Sequence, residues 1–594
     1  MLGCFWRIAS FCYNFCVSFD RPKALIMITT GDSPEKPAAG SAPSPAGDSP
    51  FSALLIAALQ RPSSPIYHLA FACAAGLIAA ACFYVGVVPT RQYASDLTSF
   101  ADCAWRLLQG LRPHIDFSTG FGLFPFLMWE WALKLGRGTV TGFGYIDAIV
   151  AVVAGTWGYI VLTRRVGGIL AVTGGLMILL LAVAPCAPGE SFRLSTHAMH
   201  YNRWGFALLA VLIAESFPLR SGVRTSSLTA GFASGILVAL LVFLKPNYGG
   251  GAVALAAASL VWNEGRPWRR LAGLGAGAAL AALPFLAYID FQIGKLLADV
   301  RMAADARGGA IAPGFVAEIF FNALPGFLIV AALAMISQHS NPTRPAPGLP
   351  GLLRNYRCLL LSGAILALGI LLLLTNSQLD RLPLHEILLL LLLDSILNGA
   401  VRRESLLSLG LVLVVAGAIL GWVGSDFLAV ANGVRLARSV PNRAADPLVH
   451  RINVGGFAPA WLLDDYNQDS PSANHGAFVV EYLSDGAALL RREIRPGEKV
   501  TAFDTYNPLA FAVGARPARG GLAFARYHYH FGDRSHPDPE TYFGDADIVM
   551  YPKTPDAPPQ DFAGLVKYYG PVLERQFVPV AESARWKLYR RRGR

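Results

Sequence analysis

The sequence has little charge for a protein of its size. Only 15% of its 594 residues are charged and 54% are hydrophobic, whereas soluble domains carry roughly 25% charged residues. Apolar runs of about 20 residues, the length that crosses a bilayer, recur from about residue 66 to about residue 428. These features exclude an ordinary soluble protein and predict a polytopic α-helical membrane protein.

Cysteine is also scarce, with eight in the chain and none after Cys358. The spacing fits neither a set of metal ligands nor a disulfide framework, which excludes an ectodomain held together by disulfides. The C-terminal part has no glycine loop of the kind that cradles nucleotide phosphates. The net charge of +11 is interpreted as loop charge that sets membrane topology, so no nucleic-acid partner is predicted.

The N-terminal region lacks the features of a cleavable signal peptide. Residues 1–26 are apolar and rich in cysteine, but no small-residue cleavage site with the usual flanks follows them. Residues 31–50 are rich in Pro, Ala, Ser and Gly and cannot bury a core. We therefore expect residues 1–60 to be a disordered cytoplasmic segment, and Met27 is an alternative start.

The arginines predict how the chain crosses the membrane. Arginine clusters follow every second apolar segment, as the positive-inside rule requires, if the N-terminus is cytoplasmic and the C-terminus lies outside. Residues 121–136 must then lie along the outer interface, where Trp129 and Trp131 suit the headgroup region. We predict a transmembrane domain at 61–430, with interfacial helices at 95–136, and a periplasmic α/β domain at 431–594. The 11 or so predicted spans lie near 66–88, 139–163, 168–186, 204–218, 226–244, 248–262, 270–290, 313–337, 358–375, 383–400 and 405–428.

The tail after residue 430 alternates between helix and strand patterns. "VVEYLSDGAALLRREI" has helical periodicity, while "KVTAFDT", "DIVMYP" and "RWKLYRR" are typical of strands. The segment "RYHYHFGDRSHPD" groups three histidines with two aspartates, residue types that could together form a metal site. Because the segment is rich in loop-forming residues, a surface loop is the preferred interpretation.

The first outer loop carries an ordered acidic segment. Ser95 and Gly110 stand where the N-cap and the C′ residue of a helix belong, which puts Asp96 in the first turn, just outside the membrane. An acid there also simply complements the helix dipole, by roughly 0.3–1 kcal/mol. Asp102 is expected to be a solvated charge, and Asp116 returns to the same surface after the helix. The apolar stripe of this amphipathic helix is Leu97, Phe100, Ala101, Ala104, Trp105 and Leu108.

An Asp-headed interfacial helix after the first span, followed by P-x-x-D-F and a second interfacial helix, resembles the GT-C class of membrane glycosyltransferases. The similarity is greatest to the branch of bacterial protein mannosyltransferase-like and lipopolysaccharide-core glycosyltransferases. "HYNRWGFALL" opening one span and "LKPNYG" ending another agree with it, whereas Leu97 stands where the family often has Glu. The matching residues are Asp96, Ala104–Trp105–Arg106–Leu107–Leu108, Gly110, Pro113 and Asp116–Phe117.

The resemblance implies an enzyme of the bacterial inner membrane. It would transfer a sugar from a polyprenyl-phosphate donor at the outer face to a lipid, glycan or protein acceptor, with inversion. Asp96 would be the general base, and Asp116 would position the acceptor or hold a divalent cation; no other cofactor is expected. The alternatives are a non-enzymatic transporter or flippase, or a glycan-assembly protein. A transporter is disfavoured because only one broken helix is found and the polar residues gather at one face.

A lipid-phosphate leaving group would require cations at the outer ends of the spans. The candidates are Lys245, Arg381 and Arg203, and the alternative for each is a basic chain that snorkels to the headgroups. Lys245 stands out because Pro246 and three nearby glycines break the helix, which at membrane depth is tolerated only beside a cavity. The remaining candidates for substrate contacts are His200, Tyr201, Asn202, Asn247 and Tyr248. His197 and His200 also give a weak zinc signal, and Asp147 is a candidate to face the catalytic cavity.

Overall fold

A computed structural model describes residues 50–217, 219, 225–262, 266–307, 313–340, 356–376, 384–398, 405–464, 476–555 and 558–593. Met27 and the rest of the first 49 residues lie outside the described residues, and so does the predicted phosphate ligand Arg381. Several of the arginines used to set the topology also lie outside them: Arg220, Arg224, Arg344, Arg354, Arg402 and Arg403.

Helices dominate the chain up to Ser439. They are α1 Pro50–Gln60, α2 Pro65–Val85, α3 Ala94–Leu108, α4 Leu123–Leu135, α5 Gly142–Leu162, α6 Gly168–Val183, α7 His200–Ser216, α8 Ser227–Leu244, α9 Pro246–Trp262, α10 Pro267–Tyr288, α11 Ile293–Arg307, α12 Pro313–Ser340, α13 Arg357–Asn376, α14 His385–Leu397 and α15 Ser405–Ser439.

Each of the predicted spans coincides with one of these helices, which confirms a polytopic helical membrane protein. Among the described residues, six helices are long and apolar enough to cross a membrane: α2, α5, α8, α10, α13 and α15. Helix α12 makes a seventh if its two segments, which meet at a bend of 50°, form one span. The other four, α6, α7, α9 and α14, have 13 to 17 residues, fewer than the roughly 20 that cross a bilayer, so the number of 11 or so spans stays a prediction.

Helix α1 lies inside the segment that the sequence predicts to be disordered. Its Ile56 and Leu59 are buried, and the Gln60 side-chain amide donates to the carbonyl oxygen of Leu397 at 2.5 Å. The expected disorder therefore does not extend to residues 50–60, because their apolar side chains pack against the helical bundle.

The first outer loop contains helices α3 and α4. Helix α3 begins two residues earlier than predicted, since Tyr93 with a φ of 55° takes the N-cap position and Ser95 lies inside the helix. Asp96 is still in the first turn, and Gly110 ends the helix with a φ of +84°, as predicted. Helix α4 has 13 residues, too few to span a bilayer.

The predicted position of Trp129 at the lipid headgroups is wrong. Its side chain is 1% exposed and stacks on Phe100 at 4.4 Å between ring centroids. The cause is that α4 packs one face on α3, so an aromatic ring that suits an interface is used in the protein interior instead.

The C-terminal part is an α/β domain, as predicted. A five-stranded sheet has the order β4-β3-β5-β7-β6, in which β3 pairs parallel with β4 and β5 while β7 pairs antiparallel with β5 and β6. The elements are β1 Val449–Arg451, β2 Trp461–Leu463, α16 Gly476–Glu493, β3 Lys499–Ala502, α17 Pro508–Val513, β4 Arg516–Pro517, β5 Ile548–Pro552, α18 Pro559–Gln576, β6 Phe577–Glu582 and β7 Trp586–Arg591.

This domain packs directly on the first outer loop. The Ser118 amide donates to the carbonyl oxygen of Gly521 at 3.0 Å, and the Thr90 amide donates to that of Trp461 at 2.8 Å. Phe524 contacts the rings of Phe100 and Trp129, at centroid distances of 6.3 and 6.4 Å. The loop that carries Asp96 is therefore covered by the domain at the other end of the chain.

Candidate functional site

Asp96 lies in a partly buried position between two loops and the C-terminal domain. Desolvation raises the pKa of its carboxyl from 3.8 to about 6, although a hydrogen bond from the Met199 backbone and the charge of Arg526 act in the opposite direction. A carboxylate with such a pKa exists in both protonation states near neutral pH and can accept a proton there.

Lys245 lies in the single extended residue between α8 and α9. Helix α8 ends at Leu244 and α9 begins at Pro246, which confirms the predicted break. A side chain at Gly249 would lie 2.7 Å from the Cα atom of Val242, so this glycine lets α9 turn back tightly on α8. The break directs the Lys245 ammonium into the protein, where its residue is 7% exposed.

Neutral groups surround the Lys245 ammonium. It donates to the Asn376 side-chain oxygen at 2.6 Å and lies 3.5 Å from that of Asn202. The same Asn376 oxygen accepts from Asn247 at 3.1 Å, and the Asn376 amide donates to the Tyr248 hydroxyl at 3.1 Å. Among the described residues, no carboxylate forms an ion pair with Lys245. A buried cation without an anionic partner is costly, so this position favours an anionic ligand.

Two arginines lie close enough to Tyr201 for their charges to act on its hydroxyl group. Arg307, the last residue of α11, donates to the Thr375 carbonyl oxygen, while its buried Nε atom has no hydrogen-bond partner among the described residues. Arg526 pairs with Asp561 at 3.0 Å. Both guanidinium groups lie over the ring of Tyr529, at 5.7 and 4.5 Å.

Aromatic rings lie between Lys245 and the C-terminal domain, and the nearest hydroxyl, that of Tyr201, has its pKa raised by burial and by the charge of Asp96. The Lys245 ammonium is 5.3 Å from the ring centre of Tyr201 and 5.5 Å from that of Phe121, and these two rings are 4.9 Å apart. Phe121 also contacts Phe524 at 5.1 Å and His530 at 5.7 Å. We call the group formed by Asp96, Tyr201, Lys245, Arg307, Arg526 and His530 the charged site.

The charged site groups one carboxylate, whose pKa is near neutral pH, with three cations and apolar ring faces. Cations and aromatic faces suit a ligand that carries an anionic group next to a less polar one. The carboxylate suits proton removal from a hydroxyl group. The predicted residues Asp96, Tyr201, Asn202, Lys245, Asn247 and Tyr248 belong to this site or to the network beneath it.

Asp116 lies elsewhere in the first outer loop. One carboxylate oxygen accepts from the Arg112 backbone at 2.8 Å, and the other lies 3.4 Å from Arg519. Its backbone carbonyl accepts from Gly520 at 2.7 Å. These contacts close the turn after α3 and attach it to the C-terminal domain, and no contact among the described residues joins Asp116 to the charged site.

Arg203 is also satisfied by contacts away from the charged site. Its buried guanidinium donates to the backbone oxygens of Cys186, at 2.6 Å, and Leu181, at 3.0 Å. It also pairs with Asp426 at 3.3 Å. This arrangement ties α7 to α6 and α15, and it is neither a snorkelling side chain nor a partner of Lys245.

His200 joins His197 and Asp147 instead of the charged site. The Asp147 carboxylate lies 3.2 Å from His197 Nδ1 and 2.6 Å from His200 Nδ1, beside a cavity of about 20 Å³. These three are the only described residues grouped closely enough to hold a metal ion. The Val88 amide, however, donates to His197 Nε2 at 2.8 Å, so neutral His197 carries its proton on Nδ1 and donates it to Asp147. This tautomer leaves His197 no lone pair for a metal and favours a hydrogen-bonded group.

Asp102 is not the solvated charge that the sequence predicts. It is fully buried, pairs with Arg106 at 3.1 Å and accepts from the Asn507 backbone at 3.2 Å. The polar face of α3 is covered by the C-terminal domain, so its charges are used as a buried ion pair.

Three members of the charged site were not predicted as its residues: Arg307, Arg526 and His530. The sequence pointed to His530 only as one histidine of a possible metal site in the histidine-rich segment. In the structure His530 is 9% exposed and does not belong to any described metal-ligand group. The sequence feature that could have identified Arg526 and His530 is the alternation of basic and aromatic residues in "FARYHYHF".

Neither a family model nor a curated protein matches this chain. Solved structures that match include ArnT from Cupriavidus metallidurans in the apo state, with a TM-score of 0.42, 13% identity, and coverage of 88% of this chain and 97% of that one. The same protein bound to undecaprenyl phosphate gives a TM-score of 0.40 and 12% identity, with coverage of 89% and 98%. At these values the function of this protein has to be inferred from its own residues.

Proposed function

We propose that the protein is a glycosyltransferase that moves a sugar from a polyprenyl-phosphate donor to a lipid, glycan or protein acceptor. The reaction takes place at the outer face of the bacterial inner membrane, with the N-terminus in the cytoplasm and the C-terminal domain in the periplasm. The observation that carries the proposal is a carboxylate with a pKa of about 6 whose charge acts on Tyr201, the ring that lies 5.3 Å from the ammonium of a buried lysine. This lysine has no carboxylate partner among the described residues.

In the reaction, the acceptor hydroxyl attacks the anomeric carbon from the side opposite the phosphate. The new carbon–oxygen bond forms as the bond between the anomeric carbon and the phosphate oxygen breaks, and the phosphate keeps the electron pair. Asp96 takes the hydroxyl proton. Its near-neutral pKa supports this role because proton transfer is efficient when the pKa of the base lies near the working pH.

The cations have the complementary task of stabilising the leaving phosphate. Lys245 offers a buried ammonium that can rotate from Asn376 toward a phosphate oxygen, and Arg307 has an unpaired Nε atom. Preorganised donors of this kind act most strongly where charge develops in the transition state. Arg526 is held by Asp561 and lies over the ring of Tyr529. Asp96 belongs to no group of metal-ligating side chains among the described residues, and the proposal does not include a divalent cation.

Mass spectrometry of envelope glycans tests the proposal. A strain that lacks this protein should lose one hexose or pentose from a surface lipid, glycan or protein, and the wild-type gene should restore it. The Asp96→Asn gene, expressed to the same level, should not restore it. An unchanged glycan profile in the deletion strain, or full restoration by the variant, would contradict the proposal.

A further inference from the structure

His530 holds an unusual position in the C-terminal domain. Its residue is 9% exposed and its ring packs against both Phe121 of the first outer loop, at 5.7 Å, and Phe524, at 5.9 Å. The backbone amide of His530 donates to the Arg526 carbonyl oxygen at 2.8 Å, which fixes the loop. The ring therefore lies at the contact between the C-terminal domain and the membrane-proximal loop.

One nitrogen of this ring is buried without a partner. Among the described residues, nothing forms a hydrogen bond with His530 Nδ1. The Cδ2 edge of the ring faces Gly120, where the Cβ atom of a larger residue would lie 3.6 Å from Cδ2, so Nδ1 lies on the other edge. Native proteins pair nearly all their buried polar atoms, and an unpaired one in a candidate site indicates a ligand contact.

The surroundings of His530 decide which ligand chemistry fits. Burial, followed by the charges of Arg307, Arg526 and Lys245, holds the pKa of the imidazole well below its usual range. A neutral imidazole cannot neutralise a phosphate, but it offers one donor and one acceptor, which suits a hydroxyl group. Phe121 and Phe524 add ring faces against which the C–H face of a sugar packs.

The position relative to Lys245 agrees with this chemistry. Both groups contact Phe121: the ammonium is 5.5 Å from its ring centre and the imidazole is 5.7 Å from it. A phosphate bound at Lys245 would thus leave its attached sugar next to the ring of Phe121. We propose that His530 hydrogen-bonds a hydroxyl of the donor sugar, so that the C-terminal domain supplies a specificity-determining residue to the charged site; this rests on the proposed function.

Lipid binding to the full-length protein in nanodiscs tests this role. The probes are undecaprenyl phosphate without a sugar and undecaprenyl phosphate carrying glucose, mannose, galactose, arabinose or a deoxy analogue of each. We expect His530→Ala to weaken binding of the preferred glycosylated lipid roughly 10- to 100-fold, the range for one lost hydrogen bond in a buried site. Binding of the sugar-free lipid should change less than about twofold, and His530→Asn should recover part of the loss.

His536→Ala is the matched control, because His536 lies in the same loop but packs against Tyr568, at 4.2 Å between ring centroids. It should leave binding of both lipids unchanged. Equal weakening of both lipids by His530→Ala, or no change in either, would overturn the role of His530. If the wild-type protein prefers no glycosylated lipid over the sugar-free one, the proposed function itself fails and the role of His530 with it.

Discussion

Replacing Asp96 by Asn separates catalysis from stability at one position. Asn keeps an oxygen that accepts the Met199 hydrogen bond but cannot take a proton from the acceptor. Removing a general base costs roughly 100- to 10,000-fold in rate. We therefore expect kcat for sugar transfer to fall by about that factor in Asp96→Asn, with little change in donor binding.

The same change should not weaken the fold. The pKa of Asp96 is raised from 3.8 to about 6, so the folded state holds the proton more tightly than the unfolded state does. The stability that this group contributes is therefore present below about pH 4 and is lost as the pH rises through about 6. At roughly 1.4 kcal/mol per pKa unit the loss is about 3 kcal/mol at most, less to the extent that solvent screens the carboxyl group. At pH 7.5 the variant should unfold at the same temperature as the wild type or a higher one.

The assays are initial rates across pH 5–8 and thermal unfolding in detergent. Wild-type activity should rise with pH through about 6, as Asp96 loses its proton. The residual activity of the variant should not show this rise. A variant with near-wild-type kcat would remove Asp96 from the mechanism. A variant with a clearly lower unfolding temperature at pH 7.5 would refute the account of its burial.

Three further predictions concern its neighbours. Lys245→Ala should weaken binding of undecaprenyl phosphate roughly 10- to 100-fold, the value of a charged hydrogen bond, while the surface variant Lys134→Ala should bind normally; equal affinities in a lipid titration would argue against Lys245 as a phosphate ligand. Asp102→Asn should lower the free energy of unfolding by about 3–5 kcal/mol, because it leaves Arg106 buried without its partner; denaturant unfolding measures this, and a loss under 1 kcal/mol would contradict it. Asp116→Asn should keep kcat within about twofold, since Asn can still accept from Arg112; an inactive but folded variant would restore the catalytic role that the sequence resemblance implies.

Local patterns allowed several features to be predicted from the sequence. Helical periodicity and a C′ glycine located α3 and put Asp96 in its first turn, and a proline followed by glycines located the break at Lys245. Hydropathy alone predicted the positions of the spans, and each of them coincides with a helix. Each of these depends on residues that lie within about 20 positions of one another.

The composition of the charged site could not be predicted in the same way. Asp102 appeared solvated because its cover comes from Asn507, 405 residues further along the chain. His530 and Arg526 reach the site through the packing of the C-terminal domain on the first outer loop, which no local pattern encodes. Arg203 and His200 resembled ligands by position, but their side chains turn to Cys186 and Asp147.

Phosphorus NMR follows the bond whose cleavage the account requires. The purified protein in nanodiscs would receive undecaprenyl phosphate carrying its preferred sugar, together with envelope extract from a strain lacking the protein as the acceptor source. We expect the phosphodiester signal of the donor to convert to the phosphomonoester signal of undecaprenyl phosphate with the wild type and not with Asp96→Asn. A phosphodiester signal that persists with the wild type, while the lipid moves between leaflets, would contradict sugar transfer and indicate a transporter.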